Sequence, residues 1–497
     1  MATGEARRML DRLAHRGPDD GGEVRANGAW LGHRRLSIVD VDGGRQPLVN
    51  AGGDLWLVGN GEVYNHEDVR GDLPPASFAT KSDNEVALHL IDTEGPEELG
   101  GLEGMYAFLA AGSDGFFMAA RDPVGIKPLY WARKDERVLF ASEMAAFDGE
   151  WLPHVESFPP GCWWTPDGGL ERFASAVPAD EEAAPDERTS PARPPAEVLD
   201  ATRETRVASV GRQMMGDVPV GVFLSGGLDS TLVAAVAANW LEQRGERLKT
   251  FAVGTHGSPD LVAARAAAKH LGTEHHERIY TAEEAIEAVP MVVRAIEHFD
   301  PSLVRSAVPN YLLAEMAAEH VKVVLTGEGA DELFAGYEYL RDLDGADELQ
   351  SEMVRTVEAL HDLNLQRCDR VTMAHGLEAR VPFLDRMVIS FALGLPAAWK
   401  LAGDGVPEKR LLREAFAGWA PDDLLWREKS QFGDGSGAAD VLTERMEESV
   451  TEADFEREAA LLDPPLRTRE ELAYFRIFAE HLPGLRAERT VSRFATA

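Results

Sequence analysis

Two cysteines in 497 residues, Cys162 and Cys368, are too few for a disulfide framework or a four-cysteine zinc site. That scarcity fits a reducing compartment. Positive charge is also short: 50 Lys and Arg stand against 85 Asp and Glu, for a net charge of -35. A field of that sign repels phosphate backbones and anionic lipid surfaces, so nucleic acid and the membrane surface are not expected partners. Long apolar runs are missing too. No stretch approaches the ~20 apolar residues that cross a bilayer, and the opening MATGEARRMLDRLAHRGPDD is charged throughout, without the apolar core of a secretory signal. A cytoplasmic protein is the expectation. No internal repeat of solenoid period is present.

The chain is long enough for two domains. Its composition changes once, between Ser175 and Asp200, where SAVPADEEAAPDERTSPARPPAEVLD is rich in Ala, Pro, Glu and Asp and cannot form a core. The resulting division is 1–174, a linker at 175–200, and 201–497. Upstream of the linker, short apolar runs alternate with turn signals. DLWLVGNGEVYNH is interrupted by Gly-Asn-Gly, and MYAFLAAGSDGFFMAARD by Gly112-Ser113-Asp114-Gly115, so both read as hairpins of a strand-rich domain. Downstream, apolar strands alternate with helix-length patterns: VPVGVFL then LDSTLVAAVAANWLEQRG, TFAVGT then DLVAARAAAKHLG, and KVVLTGEGADELFAGY after a long helical stretch. That alternation predicts a parallel sheet wrapped by helices, followed from about Asp347 by a mostly helical part.

The strongest chemical signal is Ser225-Gly226-Gly227-Leu228-Asp229-Ser230, set between an apolar strand and a helix. Glycines there let backbone N–H groups close on an anion at the helix N-terminus, where the helix dipole also favours negative charge. A phosphate site follows. No Gly-Lys-Ser/Thr closes the loop, so it supplies no lysine for the β- and γ-phosphates, and adenylation fits it better than γ-phosphoryl transfer. By contrast, His275-His276-Glu277 makes a poor metal site, because neighbouring residues on a strand point to opposite faces.

The hexapeptide resembles the pyrophosphatase loop of ATP-cleaving synthetases. Val218-Pro219 through Ser230, Thr326-Gly327-Glu328-Gly329-Ala330-Asp331-Glu332, Gly376 to Asp385 (GLEARVPFLD) and Leu425 to Phe432 (LWREKSQF) together resemble the asparagine synthetases, in order and over nearly the whole chain. Upstream, His15-Arg16-Gly17-Pro18-Asp19, Arg35 to Asp40 (RLSIVD), Asn60 to Asn65 (NGEVYN) and Ser82-Asp83-Asn84-Glu85 resemble the class II glutamine amidotransferase domain that such enzymes carry. The implied fold is α/β and α+β in two domains: an N-terminal αββα sandwich of the Ntn type, then a parallel-sheet ATP-pyrophosphatase domain with a helical C-terminal part. The implied activity is an ATP-dependent amide-forming ligase that adenylates aspartate or an analogous acid and transfers ammonia or a small amine. The resemblance leaves room for a homodimer.

Residue roles follow on the matching positions. Asp229 and Asp331 each follow a glycine-rich turn and suit the Mg2+ that bridges ATP phosphates. Leu224, Ser225, Gly226, Gly227, Ser230, Val253, Thr326 and Gly327 are implied contacts of the nucleotide, through backbone groups and an apolar wall. Lys429 is the implied cation that offsets charge on the transferring phosphate, and Glu328 the carboxylate that orients or deprotonates the attacking amine. The acid is expected among loops that include Phe299 to Arg305, with the Arg305 guanidinium as its partner. In the first domain, Arg35 suits a glutamine carboxylate, Glu62 and Asp83 its ammonium, and Asn60 with Gly61 a tetrahedral oxyanion, with Val39 beside them.

One departure stands out. The family's glutaminase nucleophile is an N-terminal cysteine, and Ala2 occupies that place, while Met1 lies only 15 residues before Arg16. Cys162 has no free α-amine and reads as a packed small residue. Either the chain starts late, with the family's first strand and cysteine upstream, or glutaminase activity is gone; with this N-terminus the expected nitrogen source is ammonia, and the glutamine-binding residues are vestigial or partial. Two alternatives have the same architecture: a cyclising synthetase of the β-lactam type, against which the glutamate at 328 counts because that group carries tyrosine there, and a catalytically silent interaction protein.

Overall fold

The computed structural model describes residues 3–73, 78–177, 193–343, 345–401, 407–427, 437 and 439–494. It opens with helix Thr3–Arg12, followed by a hairpin of β1 (Asp20–Ala26) and β2 (Ala29–Arg35) turned at Asn27-Gly28, where Gly28 takes the positive φ that a two-residue hairpin turn demands. A six-stranded antiparallel sheet follows, in the order Gly169–Arg172, Cys162–Thr165, Phe117–Arg121, Gly104–Gly112, Leu55–Val63, Leu48–Val49. A three-stranded sheet holds Tyr130–Lys134 between Arg137–Ala141 and Val155–Ser157.

Alternation along the strands builds the layers. Tyr106, Phe108 and Ala110 face helix Glu85–Thr93, where Val86, Leu88 and Leu90 are buried. Ala107 and Ala119 face Trp131 and Phe158 of the three-stranded side, while Ala111 meets Leu31 of the hairpin. Helix Thr3–Arg12 lies against the strand Ala29–Arg35 and the turn Met144–Ala146, with Met9 buried in the large core. The αββα sandwich is the expected one.

One expectation fails. Gly59-Asn60-Gly61 does not turn the chain: Leu55–Val63 is a single strand paired along its length with Gly104–Gly112. The glycines are there for space, since a Cβ at Gly59 would lie 2.4 Å from Asn84 Oδ1 and one at Gly61 would lie 1.9 Å from the Met105 carbonyl oxygen. Residues 112–116, in contrast, do form a hairpin turn, between Gly104–Gly112 and Phe117–Arg121.

The second domain holds a five-stranded, wholly parallel sheet in the order Glu274–Ile279, Lys249–Gly254, Val220–Phe223, Val323–Leu325, Glu378–Arg380. The chain first builds outward on one side of Val220–Phe223, then crosses to the other. The switch therefore falls between Val220–Phe223 and Val323–Leu325, neighbouring strands from which the chain goes on to opposite edges of the sheet. Helix Ala196–Gln213 begins within the stretch of 175–200, and residues 178–192 lie outside the described ones. Among the described residues beyond 346 the regular elements are helices apart from Glu378–Arg380, a strand that no alternation announced because all three of its residues are buried.

Candidate active site

Two pockets carry the chemistry. The larger, with a volume of about 950 Å³, opens at the switch point and is lined by Leu224, Ser225, Gly227, Asp229, Ser230, Val253, Thr326, Gly327, Glu328 and Asp331 among others. All the nucleotide positions expected from the sequence except Gly226 thus line one cavity. Gly226 lies behind the loop with φ +74, where a Cβ would fall 2.5 Å from the Ala263 backbone. Gly227 caps the fifteen-residue helix Leu228–Glu242. Ser225 and Ser230 tie the loop to itself, with their hydroxyl oxygens 3.1 Å apart and the Gly227 N–H donating to Ser225 Oγ at 3.3 Å. The loop is thus shaped around backbone N–H groups at a long helix's N-terminus, the arrangement that holds a phosphate.

The second loop, 326–331, packs directly on the first: a Cβ at Gly327 would lie 2.9 Å from Asp229 Cβ. Asp229 and Asp331 converge as expected, but what they hold is the ammonium of Lys409, in a short contact with Asp229 and at 2.6 Å from Asp331. Burial disfavours that charge, yet the two carboxylates raise the lysine's pKa. Nothing in PEKRLLREAF singled Lys409 out, because its partners are far away in the chain. Lys429, the cation expected here, lies outside the described residues. No group of three or more His, Cys, Asp or Glu gathers for a metal among the described residues. Two carboxylates alone suit Mg2+, which keeps waters and completes its shell on phosphate oxygens.

Glu328 is held by a second residue that sequence reading missed. Arg367, on helix Asn364–Met373, pairs with it in a short contact and also donates to Ser306 Oγ at 2.8 Å. Burial pushes the Glu328 carboxyl upward while Arg367 pulls it back. Phe299 to Arg305 is not a loop: helix Pro301–Ala318 starts within it, capped by Asp300, whose carboxylate accepts the Ser302 N–H at 3.0 Å. Arg305 does line the cavity, paired with Glu470 at 3.0 Å.

The smaller pocket, of about 110 Å³, lies in the first domain and is lined by Arg35, Val39, Asn60, Gly61, Glu62 and Asp83, together with Arg16 and His33. All six residues expected at a glutamine site are therefore assembled. Burial with its acidic neighbours Asp83 and Glu378 pushes the Glu62 carboxyl well up, and burial raises that of Asp83 as well. Arg35 differs from expectation: its guanidinium donates to the carbonyls of Val39, Asp40 and Val41 at 2.8–3.0 Å and so holds the loop's shape. Cys162 is buried against Trp131 and Phe158, where burial raises its thiol pKa, and is a packing residue. Ala2 lies outside the described residues. His275 and His276 point apart as expected, the first to Thr250 and Glu277, the second stacked on Phe251 and His320.

Helix Asn364–Met373 runs between the pockets. Residues two apart on a helix face nearly opposite ways, and Asp369 turns from Arg367's side to accept two hydrogen bonds from Arg16, at 2.8 and 3.1 Å. Buried around it are Arg370 with Glu143 and Glu297, each at 3.0 Å, Lys127 with Glu378 at 3.3 Å, and Arg380 with Glu378 at 2.9 Å. This ionic seam joins the two domains.

A sandwich domain with a small acidic pocket is fused to a parallel sheet with a glycine-rich loop at its switch point, and the relatives that share this plan make the chain an ATP-dependent carbon–nitrogen ligase of the amidotransferase type. The family profile described as asparagine synthase matches residues 201–346 and 340–491, and that of the glutamine amidotransferase domain matches 2–157. The chain is 36% identical over 527 residues to a probable glutamine-hydrolyzing asparagine synthetase of Dictyostelium discoideum, covering 98% of this chain and 92% of that one. It is 38% identical over 498 residues to asparagine synthetase B of Escherichia coli strain K12, covering 95% and 87%, and 38% over 500 residues to asparagine synthetase 3 of Arabidopsis thaliana, covering 97% and 85%. The chain belongs to the asparagine synthase family. Among the described residues, no helix is long and apolar enough to cross a membrane.

Proposed function

We propose that this enzyme joins nitrogen to the carboxylate of aspartate or a closely similar acid in two steps at the larger pocket. The carboxylate attacks the α-phosphorus of ATP, forming an acyl-adenylate and releasing pyrophosphate; ammonia or a small amine then attacks the acyl carbon, releasing AMP and one proton. The phosphate loop and the N-terminus of helix Leu228–Glu242 hold the triphosphate. Mg2+, bound through Asp229 and Asp331, would offset the charge that builds on the departing pyrophosphate. Glu328, whose carboxyl is pushed up by burial, takes the proton from the attacking nitrogen, and Arg367 holds it in position. Arg305, at the far wall of the cavity, is the guanidinium that an amino-acid carboxylate can approach.

The observation that carries this reading is the meeting of two loops in one cavity: residues 225–230, built for phosphate, and 326–331, which brings Glu328 to the same space. The smaller pocket serves the nitrogen donor. Asn60 Nδ2 is buried there without a hydrogen-bond partner, which fits a donor waiting for an oxyanion. The test is product analysis with aspartate, ammonium, ATP and Mg2+. Acid-dependent AMP and pyrophosphate are expected, and a pyrophosphate-release screen over other acids names the substrate; ADP and phosphate would overturn the mechanism.

A further inference from the structure

Arg305 is held at both ends by carboxylates. Its guanidinium pairs at 3.0 Å with Glu470, which belongs to helix Arg469–His481. Its own helix, Pro301–Ala318, starts on Asp300, one oxygen of which accepts the Ser302 and Leu303 N–H groups at 3.0 and 3.3 Å. Residues 491–494 grip the other side of both anchors. The Phe494 N–H donates to the second Asp300 oxygen at 3.1 Å, and Arg493 donates at 2.9 Å to Glu471, the residue after Glu470. Arg467 ties the two acids together, 3.1 Å from Asp300 and 3.3 Å from Glu471, and donates to the Phe494 carbonyl in a short contact.

Residues 491–494 form no helix or strand, so side chains hold their backbone in place. His298 adds a further tie. The Phe299 and Asp300 N–H groups donate to its Nδ1, each at 3.0 Å, so its proton sits on Nε2, which donates to the Ser492 carbonyl at 2.7 Å. Asp300 and Glu471 are completely buried, where a carboxylate that loses a partner is strongly destabilised and its surroundings must rearrange. Arg493 and Phe494 also line the larger cavity together with Arg305. We propose that residues 491–494 are a clip that positions Arg305: by holding Asp300 and Glu471 they fix the start of the helix that carries it and the turn from which Glu470 reaches its guanidinium. This rests on the reading of Arg305 as the partner of the acid substrate.

The experiment measures pyrophosphate release with aspartate, ammonium, ATP and Mg2+, with every protein verified as native by circular dichroism. The variants are Arg493→Met, Arg493→Lys and Phe494→Pro, which removes the N–H that Asp300 accepts, each alone and combined with Arg305→Met. Arg493→Met and Phe494→Pro should each raise the KM for aspartate about tenfold and that for ATP less than about twofold, and Arg493→Lys should recover part of the loss. In the Arg305→Met background the same changes should add less than about twofold, because they act through the residue already removed. Losses that multiply in the double variants, or an aspartate KM that neither clip variant moves while Arg305→Met raises it, would overturn the clip. An Arg305→Met protein whose aspartate KM is unchanged would instead refute the acid reading of Arg305, and the double variants then decide the clip on whichever constant Arg305→Met does change.

Discussion

The two pockets are built on opposite plans. The smaller is made almost wholly of one domain's local segments, and its polar groups are held by backbone: Arg35 by three carbonyls of its own loop, and Asp83 by the Val63 N–H at 2.7 Å. Burial raises both its carboxyls, Glu62 and Asp83, although Arg380 stands 3.5 Å from Glu62. The larger pocket pairs its acids with basic side chains drawn from distant elements, Lys409 for two aspartates and Arg367 for Glu328. A pocket whose buried acids are biased toward the neutral form suits hydrogen-bond recognition of a small ligand. One that stores compensated charge suits a triphosphate whose charge changes during reaction.

The sharpest break of that contrast comes at the charge-compensated acids. Asp229→Ala or Asp331→Ala is expected to lower acid-dependent AMP formation about a thousandfold, because metal and lysine both lose a partner as the leaving group's charge grows. Within-tenfold activity in a pyrophosphate-release assay would show that the aspartates only anchor Lys409. At the seam between the pockets, Arg370→Met takes the guanidinium from Glu297, which keeps the Met144 and Ala145 N–H groups, and from Glu143, which keeps Arg16 at 3.0 Å, and urea unfolding should show a loss of roughly 3 kcal/mol. A neutral result would mean that the seam is tolerant of rearrangement and the domains are held by apolar packing.

Arg367→Met tests positioning. Glu328 then stays in the cavity without its guanidinium, and kcat for amide formation should fall about a hundredfold with the KM for ATP changed little. Lys in place of Arg should restore part of the rate; a parallel rise in ATP KM would instead assign Arg367 to nucleotide binding. The smallest effect concerns the smaller pocket. Burial lowers the His33 imidazole from 6.5 to about 4, so the unfolded chain takes up a proton first as pH falls. The stability this neutral histidine confers is complete above pH 6.5 and is lost as pH falls toward 4. Between pH 6.5 and about pH 5 the wild type should lose roughly 2 kcal/mol that a His33→Gln variant does not. Parallel pH profiles for the two proteins would remove His33 from the account.

Much of this was legible in the chain because certain chemistry is local. A glycine-rich turn between a strand and a helix offers backbone N–H groups at a helix N-terminus, which is readable from a few consecutive residues, and the alternation after the linker pointed to a parallel sheet. The failures have physical causes. Gly59-Asn60-Gly61 reads as a turn by composition, but the glycines answer to crowding from Asn84, Phe108 and Met105, which no local pattern encodes. Glu378–Arg380 has no alternation because both its faces are covered. Phe299 to Arg305 reads as a loop because Asp-Pro breaks structure, though the same pair starts a helix when the Asp caps it.

By itself, the sequence determined the two-domain plan and singled out the glycine-rich loop, the acids at 229, 328 and 331 that line the larger pocket, and the six residues that line the smaller one, since each rests on a motif read whole. Only the tertiary structure decided which cations answer those acids. Lys409 meets Asp229 across 180 residues, Arg367 meets Glu328 across 39, and Arg16 meets Asp369 across 353. A buried charge must find its partner in space, and chain distance places no limit on where that partner comes from.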